Sequence, residues 1–171
     1  MRYYDFYDSP HGCMLLVASD EGLTGVYFDG QKYHPRLEAA WRHDTGNALL
    51  RQAKRELAEY FGGERKRFET ALAPQGTPFQ RAVWKAISTV DFGTTITYGE
   101  LARRAGCPGS TRAAGAATGR NPITIIVPCH RIVGSNGRLT GYAGGLEKKR
   151  ALLTLEGAHA ESPTADLLQA A

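Results

Sequence analysis

The stretch Ala73-Pro74-Gln75-Gly76, followed at once by Thr77-Pro78-Phe79-Gln80, divides this chain into two parts with different local rules. The first four residues read as a linker. The next four carry a threonine that can cap a helix, proline at the first helical position and a glutamine three residues after the threonine, which together start a helix. Before the break the chain reads mainly as short strands and turns; after it, as helices. The expected fold class is therefore α+β, with a small sheet first and a helical part second.

On the N-terminal side, Gly12–Ala18 and Leu23–Phe28 are short, apolar and rich in branched or aromatic residues, and Ser19-Asp20-Glu21-Gly22 supplies a hairpin turn between them. Tyr3, Tyr4 and Phe6 suit a third strand. Asn47–Phe61 reads as an amphipathic helix with Leu49, Leu50, Ala53, Leu57 and Phe61 on one side, stopped by Gly62-Gly63. Residues 64–76 read as a short strand and the linker. The expected domains are 1–72, a sheet-and-helix support, and 77–158, with 159–171 as a polar, Ala-rich flexible tail.

On the C-terminal side, Phe79, Val83, Trp84, Ile87 and Val90 form an apolar stripe at helical spacing. Thr97-Tyr98-Gly99-Glu100 is a second capping box, opening a helix over 98–104 that Gly106 ends. A further helix can start at Ser110 and run through Thr111-Arg112-Ala113-Ala114-Gly115-Ala116-Ala117. Two short helices around a Gly/Pro turn, the second made of tiny residues about one arginine, suit a helix-turn-helix that lies close to a duplex. The same pattern equally suits an αα corner with an Ala/Gly packing face. A last helix, Leu146–Glu156, would pack through Leu152, Leu153 and Leu155 and end at Gly157.

The chemistry concentrates at Pro128-Cys129-His130-Arg131, which follows the apolar run Ile123-Thr124-Ile125-Ile126-Val127, read as a buried strand. A thiol next to an imidazole suits nucleophilic sulfur, since the thiolate is the reactive form and needs a base or an electropositive pocket. An isolated Cys-His pair is also compatible with an inert buried cysteine. Beyond it lie the tight turn Gly134-Ser135-Asn136-Gly137 and the loop Gly141-Tyr142-Ala143-Gly144-Gly145, whose glycines let backbone N–H groups approach a ligand.

Composition narrows the function classes. The three cysteines (Cys13, Cys107, Cys129) are widely spaced and odd in number, a poor disulfide framework. With no Cys-x-x-Cys pair and scattered histidines, a metal site is not expected. No apolar run approaches the ~20 residues of a membrane span, and Met1–Phe6 shows no apolar signal core, so a cytoplasmic protein is expected. Residues 81–150 carry eleven basic and three acidic side chains, whereas the remainder carries ten and fourteen. A basic C-terminal half on an acidic partner points to a polyanion-binding face on one part only.

With these segments laid out, the chain resembles the O6-alkylguanine-DNA alkyltransferases, also called methylated-DNA–protein-cysteine methyltransferases. The resemblance runs from Thr77 to Gly157 through Thr77-Pro78-Phe79-Gln80, Tyr98-Gly99-Glu100-Leu101-Ala102, Arg112-Ala113-Ala114-Gly115, Asn121-Pro122, Pro128-Cys129-His130-Arg131 and Gly141-Tyr142-Ala143-Gly144-Gly145-Leu146. Length and the Thr140–Gly145 form look most like the short bacterial stand-alone members. The resemblance implies an RNase H-like N-terminal α/β domain and a winged-helix-like C-terminal domain that enters the minor groove of double-stranded DNA and flips the damaged base.

It further implies that Cys129 accepts the alkyl group of O6-alkylguanine, secondarily of O4-alkylthymine, once per molecule and with no cofactor. His130 would take the thiol proton through a water, and Glu156 would orient the imidazole. Tyr98 would crowd the target phosphate and donate to the guanine ring, and Asn121 would tie the recognition helix to the active-site segment. Arg112 would fill the gap left by the flipped base, with Ser110, Thr111, Ala113 and Gly115 along the same DNA-facing helix. Pro128, Ile132, Tyr142, Ala143 and Gly144 would line the pocket. Small residues at Gly141 and Ala143 would widen it for bulkier alkyl groups. A monomer is implied, with cooperative loading on DNA open. Two rivals are a lesion-binding module without transfer, which would lack Cys129, and a cysteine hydrolase, which would leave the basic helices without a purpose.

Overall fold

In the computed structural model, residues 1–158 are described; the tail expected at 159–171 lies outside them. The described residues form two units. Met1–Gly76 with Pro122–Ile126 make one, and Thr77–Asn121 with the chain from Val127 onward make the other.

The first unit is a four-stranded sheet with one helix. Strands β1 (Tyr3–Ser9), β2 (Gly12–Ala18) and β3 (Leu23–Phe28) form an antiparallel meander. The two-residue β4 (Arg42–His43) pairs parallel to β1, giving the order β3-β2-β1-β4. Helix α1 (Ala48–Phe61) packs on β1, β2 and β3. Its start is fixed by Asn47, whose side chain accepts the Leu50 N–H at 3.1 Å. It ends at Gly62, with Gly63 at φ 77°, a conformation that glycine takes without strain. Leu50, Ala53, Leu57 and Tyr60 join Met14, Leu16, Leu23, Val26 and Phe28 among the fully or almost fully buried side chains.

Two charged residues hold this unit together from within. Asp5, buried on β1, accepts from Lys54 Nζ of α1 at 2.8 Å and lies 3.1 Å from His43 Nε2 of β4. Glu56 faces inward from α1 at 1 % exposure. Its carboxylate accepts from Thr70 Oγ1 at 2.8 Å, from the Thr70 and Glu69 N–H groups at 3.1 Å and from Gln52 Nε2 at 3.1 Å. The short strand expected within 64–76 does not form. Leu72 makes one isolated bridge to Leu23, and Glu56 binds the segment by its N–H groups instead of a ladder.

The second unit is helical. Helix α2 (Pro78–Ile87) starts with the expected reciprocal cap, Gln80 N–H to Thr77 Oγ1 at 3.1 Å and Thr77 N–H to Gln80 Oε1 at 3.0 Å. Helix α3 (Tyr98–Arg104) has only half of the second box. Thr97 Oγ1 accepts the Glu100 N–H, while the Glu100 carboxylate turns to Arg103 and Arg104. Helix α4 (Thr111–Gly119) continues two residues past Ala117, and Ser110 precedes it without a side-chain cap. It packs on α2 and α3, and the Trp84 indole N–H donates to Ala117 O at 2.8 Å. Strand β5 (Ile96–Thr97) pairs parallel with β6 (Ile132–Val133), and α5 (Leu146–Leu155) closes the unit. Among the described residues no helix is long and apolar enough to cross a membrane.

Periodicity misplaced some apolar residues. Phe79 and Leu155, expected in the core, are each 37 % exposed, while Lys149 takes a fully buried place on α5. The run Ile123–Val127 is buried but is not a strand. Ile123 bridges Val26, then Ile126 N–H bonds back to Thr124 O at 2.9 Å around Ile125 at φ 74°. That i→i+2 bond with a positive-φ centre is a γ-turn, a strained form for a β-branched residue.

Glu56→Ala removes the acceptor for several buried donors while Thr70 stays enclosed. We expect a loss of about 3 kcal/mol in urea unfolding, with Glu56→Gln losing less.

Candidate active site

The backbone of the cysteine segment is irregular. Cys129 N–H donates to Val127 O at 2.8 Å around Pro128 (φ −82°, ψ 64°), an inverse γ-turn that proline's fixed φ favours. Cys129–Arg131 then form one turn of 3₁₀ helix that leads into β6. Pro128, Cys129, His130, Arg131 and Ile132 are all buried, with the imidazole at 0 % exposure.

Glu156 collects this turn. It is the C-terminal cap of α5, and its N–H bonds Leu152 O. Its side chain is wholly buried, 2.7 Å from His130 Nε2 at Oε1. Arg131 Nη2 donates to Oε1 at 2.8 Å and Arg131 Nε to Oε2 at 2.9 Å. The Gly93 N–H adds a longer bond to Oε2 at 3.3 Å. Gly93 has φ 78°, and a Cβ there would meet Glu156 O at 3.0 Å, so the close approach suits glycine. Burial alone would raise this carboxyl, yet the bonds from His130 and Arg131 outweigh it and hold it at about 2.

An ionised Glu156 requires that Nε2 of a neutral His130 carry the ring proton. Nδ1 then holds the lone pair, and it is buried with no hydrogen-bond partner among the described residues. Burial, opposed by Glu156, keeps the imidazole below its ordinary value. Cys129 is shifted the other way: burial raises the thiol, and the Asn121 side chain and the Lys149 charge offset this only in part. The resting pair is thus a protonated thiol beside a neutral imidazole, an arrangement that needs a base step before sulfur can attack.

The surrounding residues fall into four groups. Asn121 is buried, hydrogen-bonds the cysteine and donates from Nδ2 to Val127 O at 2.8 Å. Tyr98, at the start of α3, sits close enough to Cys129 for a thiolate there to raise the phenol, although burial is the larger cause. Its hydroxyl accepts a long bond from Thr140 Oγ1 at 3.5 Å, and its ring covers Gly115, where a Cβ would lie 3.7 Å from Cδ1. On α4, Thr111, Arg112 and Ala113 are exposed and Ser110 and Gly115 half-buried, while Ala114, Ala117 and Thr118 face inward. Tyr142, Ala143 and Gly144 are half-buried in the loop before α5, and at Gly141 a Cβ would meet nothing within 4 Å.

Two participants were not singled out from the sequence. In the sequence Arg131 stands out only as part of the Pro128–Arg131 motif. Lys149 was read as one more basic residue, yet its ammonium is buried and donates to Ile132 O at 2.6 Å, Thr140 O at 3.0 Å and Gly141 O at 3.5 Å. Burial pushes it down to about 8. The available signal was position: Lys149 lies on the same helical face as Leu152 and Leu153.

A sheet-and-helix unit joined to a helical unit that holds a buried cysteine, imidazole and carboxylate is the layout of a two-domain DNA alkyltransferase. Residues 78–158 match the model of the 6-O-methylguanine DNA methyltransferase DNA-binding domain, and residues 2–74 that of its ribonuclease-like domain. The methylated-DNA–protein-cysteine methyltransferase of Methanosarcina acetivorans is 48% identical over 155 residues, covering 91% of this chain and 98% of its own. The Mycobacterium tuberculosis O6-methylguanine methyltransferase superposes with a TM-score of 0.83 at 43% identity, over 98% of this chain and 99% of that one. The M. tuberculosis OGT in complex with DNA gives 0.84 at 44%, over 91% and 92%. The chain belongs to the methylated-DNA–protein-cysteine methyltransferase family of DNA-repair enzymes.

Glu156 makes acid stability a direct readout of its bonds to His130 and Arg131. Its folded-state value lies below the ordinary one, so its contribution is present above about 4.5 and is lost as pH falls toward about 2. Thermal melts of the wild type should drop across that window, and Glu156→Gln, less stable at neutral pH, should show a flatter dependence.

Proposed function

We propose that this protein repairs duplex DNA by transferring the alkyl group of O6-alkylguanine, and secondarily of O4-alkylthymine, to Cys129 Sγ, once per molecule. The observation that carries this reading is geometric: a buried cysteine is followed by a wholly buried imidazole whose Nε2 lies 2.7 Å from Glu156 Oε1, in a chain of the methyltransferase family. Burial raises the thiol and lowers the imidazole, so the pair rests as thiol and neutral base.

His130 Nδ1 takes the thiol proton, through a bridging water, and Glu156 stabilises the imidazolium formed. The sulfur attacks the alkyl carbon in line with the departing oxygen. A C–S bond forms, the C–O bond breaks, and its electron pair goes to the guanine, whose ring ends with one proton in exchange for the one lost by the thiol. Tyr98 donates to that ring as charge develops, and the backbone around Pro128, Ile132, Tyr142, Ala143 and Gly144 binds the base edge. Asn121 holds the cysteine segment to the end of α4. The thioether has no hydrolytic exit in this site, so the protein is consumed.

A stacked base cannot be reached in line by a protein sulfur, so the nucleotide must be flipped, which costs least for a poorly paired lesion. Helix α4 offers the surface: Thr111, Arg112 and Ala113 are exposed on a helix of small residues, with Ser110 at its start and Gly115 beside Tyr98. We assign it to the minor groove, with Arg112 filling the gap in the stack and a single protomer at each lesion.

Intact and peptide mass spectrometry after mixing with a duplex holding one O6-methylguanine tests the reading. We expect one added methylene mass on the Cys129 peptide, saturating at one per protein. Cys129→Ser should abolish transfer and keep DNA binding; persistent transfer would move the acceptor to Cys107 or Cys13. Arg112→Ala should slow transfer from duplex DNA about tenfold or more while sparing the free alkylated base. Because burial holds His130 below the ordinary imidazole value, the transfer rate should stay level from about pH 8 to about 6.5 and fall only below.

A further inference from the structure

We propose that Arg131 is the positioning residue of the relay: it grips Glu156 through two nitrogens and neutralises it, so that His130 rests as a neutral base rather than as an imidazolium. The proposal rests on reading His130 as the base for Cys129.

The geometry separates Arg131 from an ordinary ion pair. Its Nη2 and Nε span both carboxylate oxygens at 2.8 and 2.9 Å, and Nη1 donates to Val90 O at 2.7 Å. The guanidinium carbon lies 5.7 Å from the Phe92 ring centroid. The guanidinium is therefore held by the Val90–Gly93 segment on one side and by the end of α5 on the other. It is planar and permanently charged, so it can satisfy both oxygens without titrating.

The consequence falls on His130. A lone buried carboxylate 2.7 Å from Nε2 would draw a second proton onto the ring, because an opposite charge at hydrogen-bond distance favours the charged form. An imidazolium cannot accept the thiol proton. With Arg131 in place, Glu156 still orients the ring but its charge is already matched. The other groups facing His130 act in the same sense or are neutral. Burial is the largest cause that disfavours the imidazolium, Lys149 of α5 adds to it as a cation, and Cys129 is held as a thiol. Glu156 is thus the one anion at the ring among the groups that shift it, and Arg131 is the cation directly bonded to it.

The test is an NMR titration of the His130 ring in the DNA-free protein, for wild type, Arg131→Lys and Arg131→Met, with transfer rates measured over the same pH range. Wild type should show a neutral ring with the proton on Nε2 at about pH 7. Arg131→Met should move the His130 midpoint up by about one pH unit or more, and the acid limb of the transfer rate should move with it. Arg131→Lys keeps the charge but cannot span both oxygens, and should give a smaller upward shift.

A folded Arg131→Met with an unmoved His130 midpoint and a rate lowered equally at every pH would overturn the proposal. If Arg131→Met does not fold, Arg131→Lys decides by the same readout. A wild-type ring doubly protonated at about pH 7, or carrying its single proton on Nδ1, overturns it without any variant. If the midpoints move as expected but no variant, wild type included, alkylates Cys129, the repair reading fails while the role of Arg131 stands.

Discussion

The carboxylate of Glu156 is the constraint on which the second unit's chemistry depends. A buried charge is tolerated only where it is matched and its lone pairs are filled. Here both oxygens accept from Arg131, one lies against His130 and the other receives the Gly93 N–H. Three separate pieces of chain, the Val90–Gly93 segment, the Cys129–Arg131 turn and the end of α5, meet at those two atoms. Its place at a helix C-terminus, where the macrodipole disfavours an anion, becomes intelligible once the compensating cation is seen.

The charge pattern around the thiol follows from the same economy. Arg131 and Lys149 are both buried, and among the described residues of this unit Glu156 is the only buried carboxylate. Lys149 satisfies its ammonium with the Ile132, Thr140 and Gly141 carbonyls instead of an acid. That choice does two things. It fastens the start of the glycine loop to β6, and it leaves a positive charge whose field favours a thiolate at Cys129 and is itself favoured by one. Burial still keeps the thiol protonated at rest. In the proposed transfer the same cation favours the thiolate that forms.

Much of this was legible in the residues. Helix starts at Asn47, Thr77 and Thr97 are written in cap residues that act locally, and the β1–β3 meander is written in alternating and branched side chains. What stayed hidden was decided by tertiary packing. Glu56, Arg131 and Lys149 are residue types that usually face water, and nothing local says that donors or carbonyls will converge on them. Phe79 and Leu155 fail for the converse reason, since a helical stripe gives a face but not how far its cover extends. The second capping box was half right because Glu100 had Arg103 and Arg104 as competing partners one turn away. Signals that depend on three or four residues survived; those that depend on what folds back across the chain did not.

The most instructive difference is the run before the cysteine. Val, Ile and Thr favour strand, and a strand through Cys129 and His130 would have sent the two side chains to opposite faces. The thiol and the imidazole could not then have faced the same side. The chain breaks the strand with a γ-turn at Ile125 and an inverse γ-turn at Pro128, then winds one 3₁₀ turn. With about three residues per turn, successive side chains diverge by roughly a third of a circle. Both His130 and Arg131 can then reach Glu156 from adjacent positions while Cys129 stays beside them. A positive φ at a β-branched residue costs on the order of 1–3 kcal/mol, and the tightly buried neighbours on either side supply what holds it. The buried hydrophobic run thus leads not into a strand but into a turn that sets Cys129, His130 and Arg131 at successive positions, two of them bonded to Glu156.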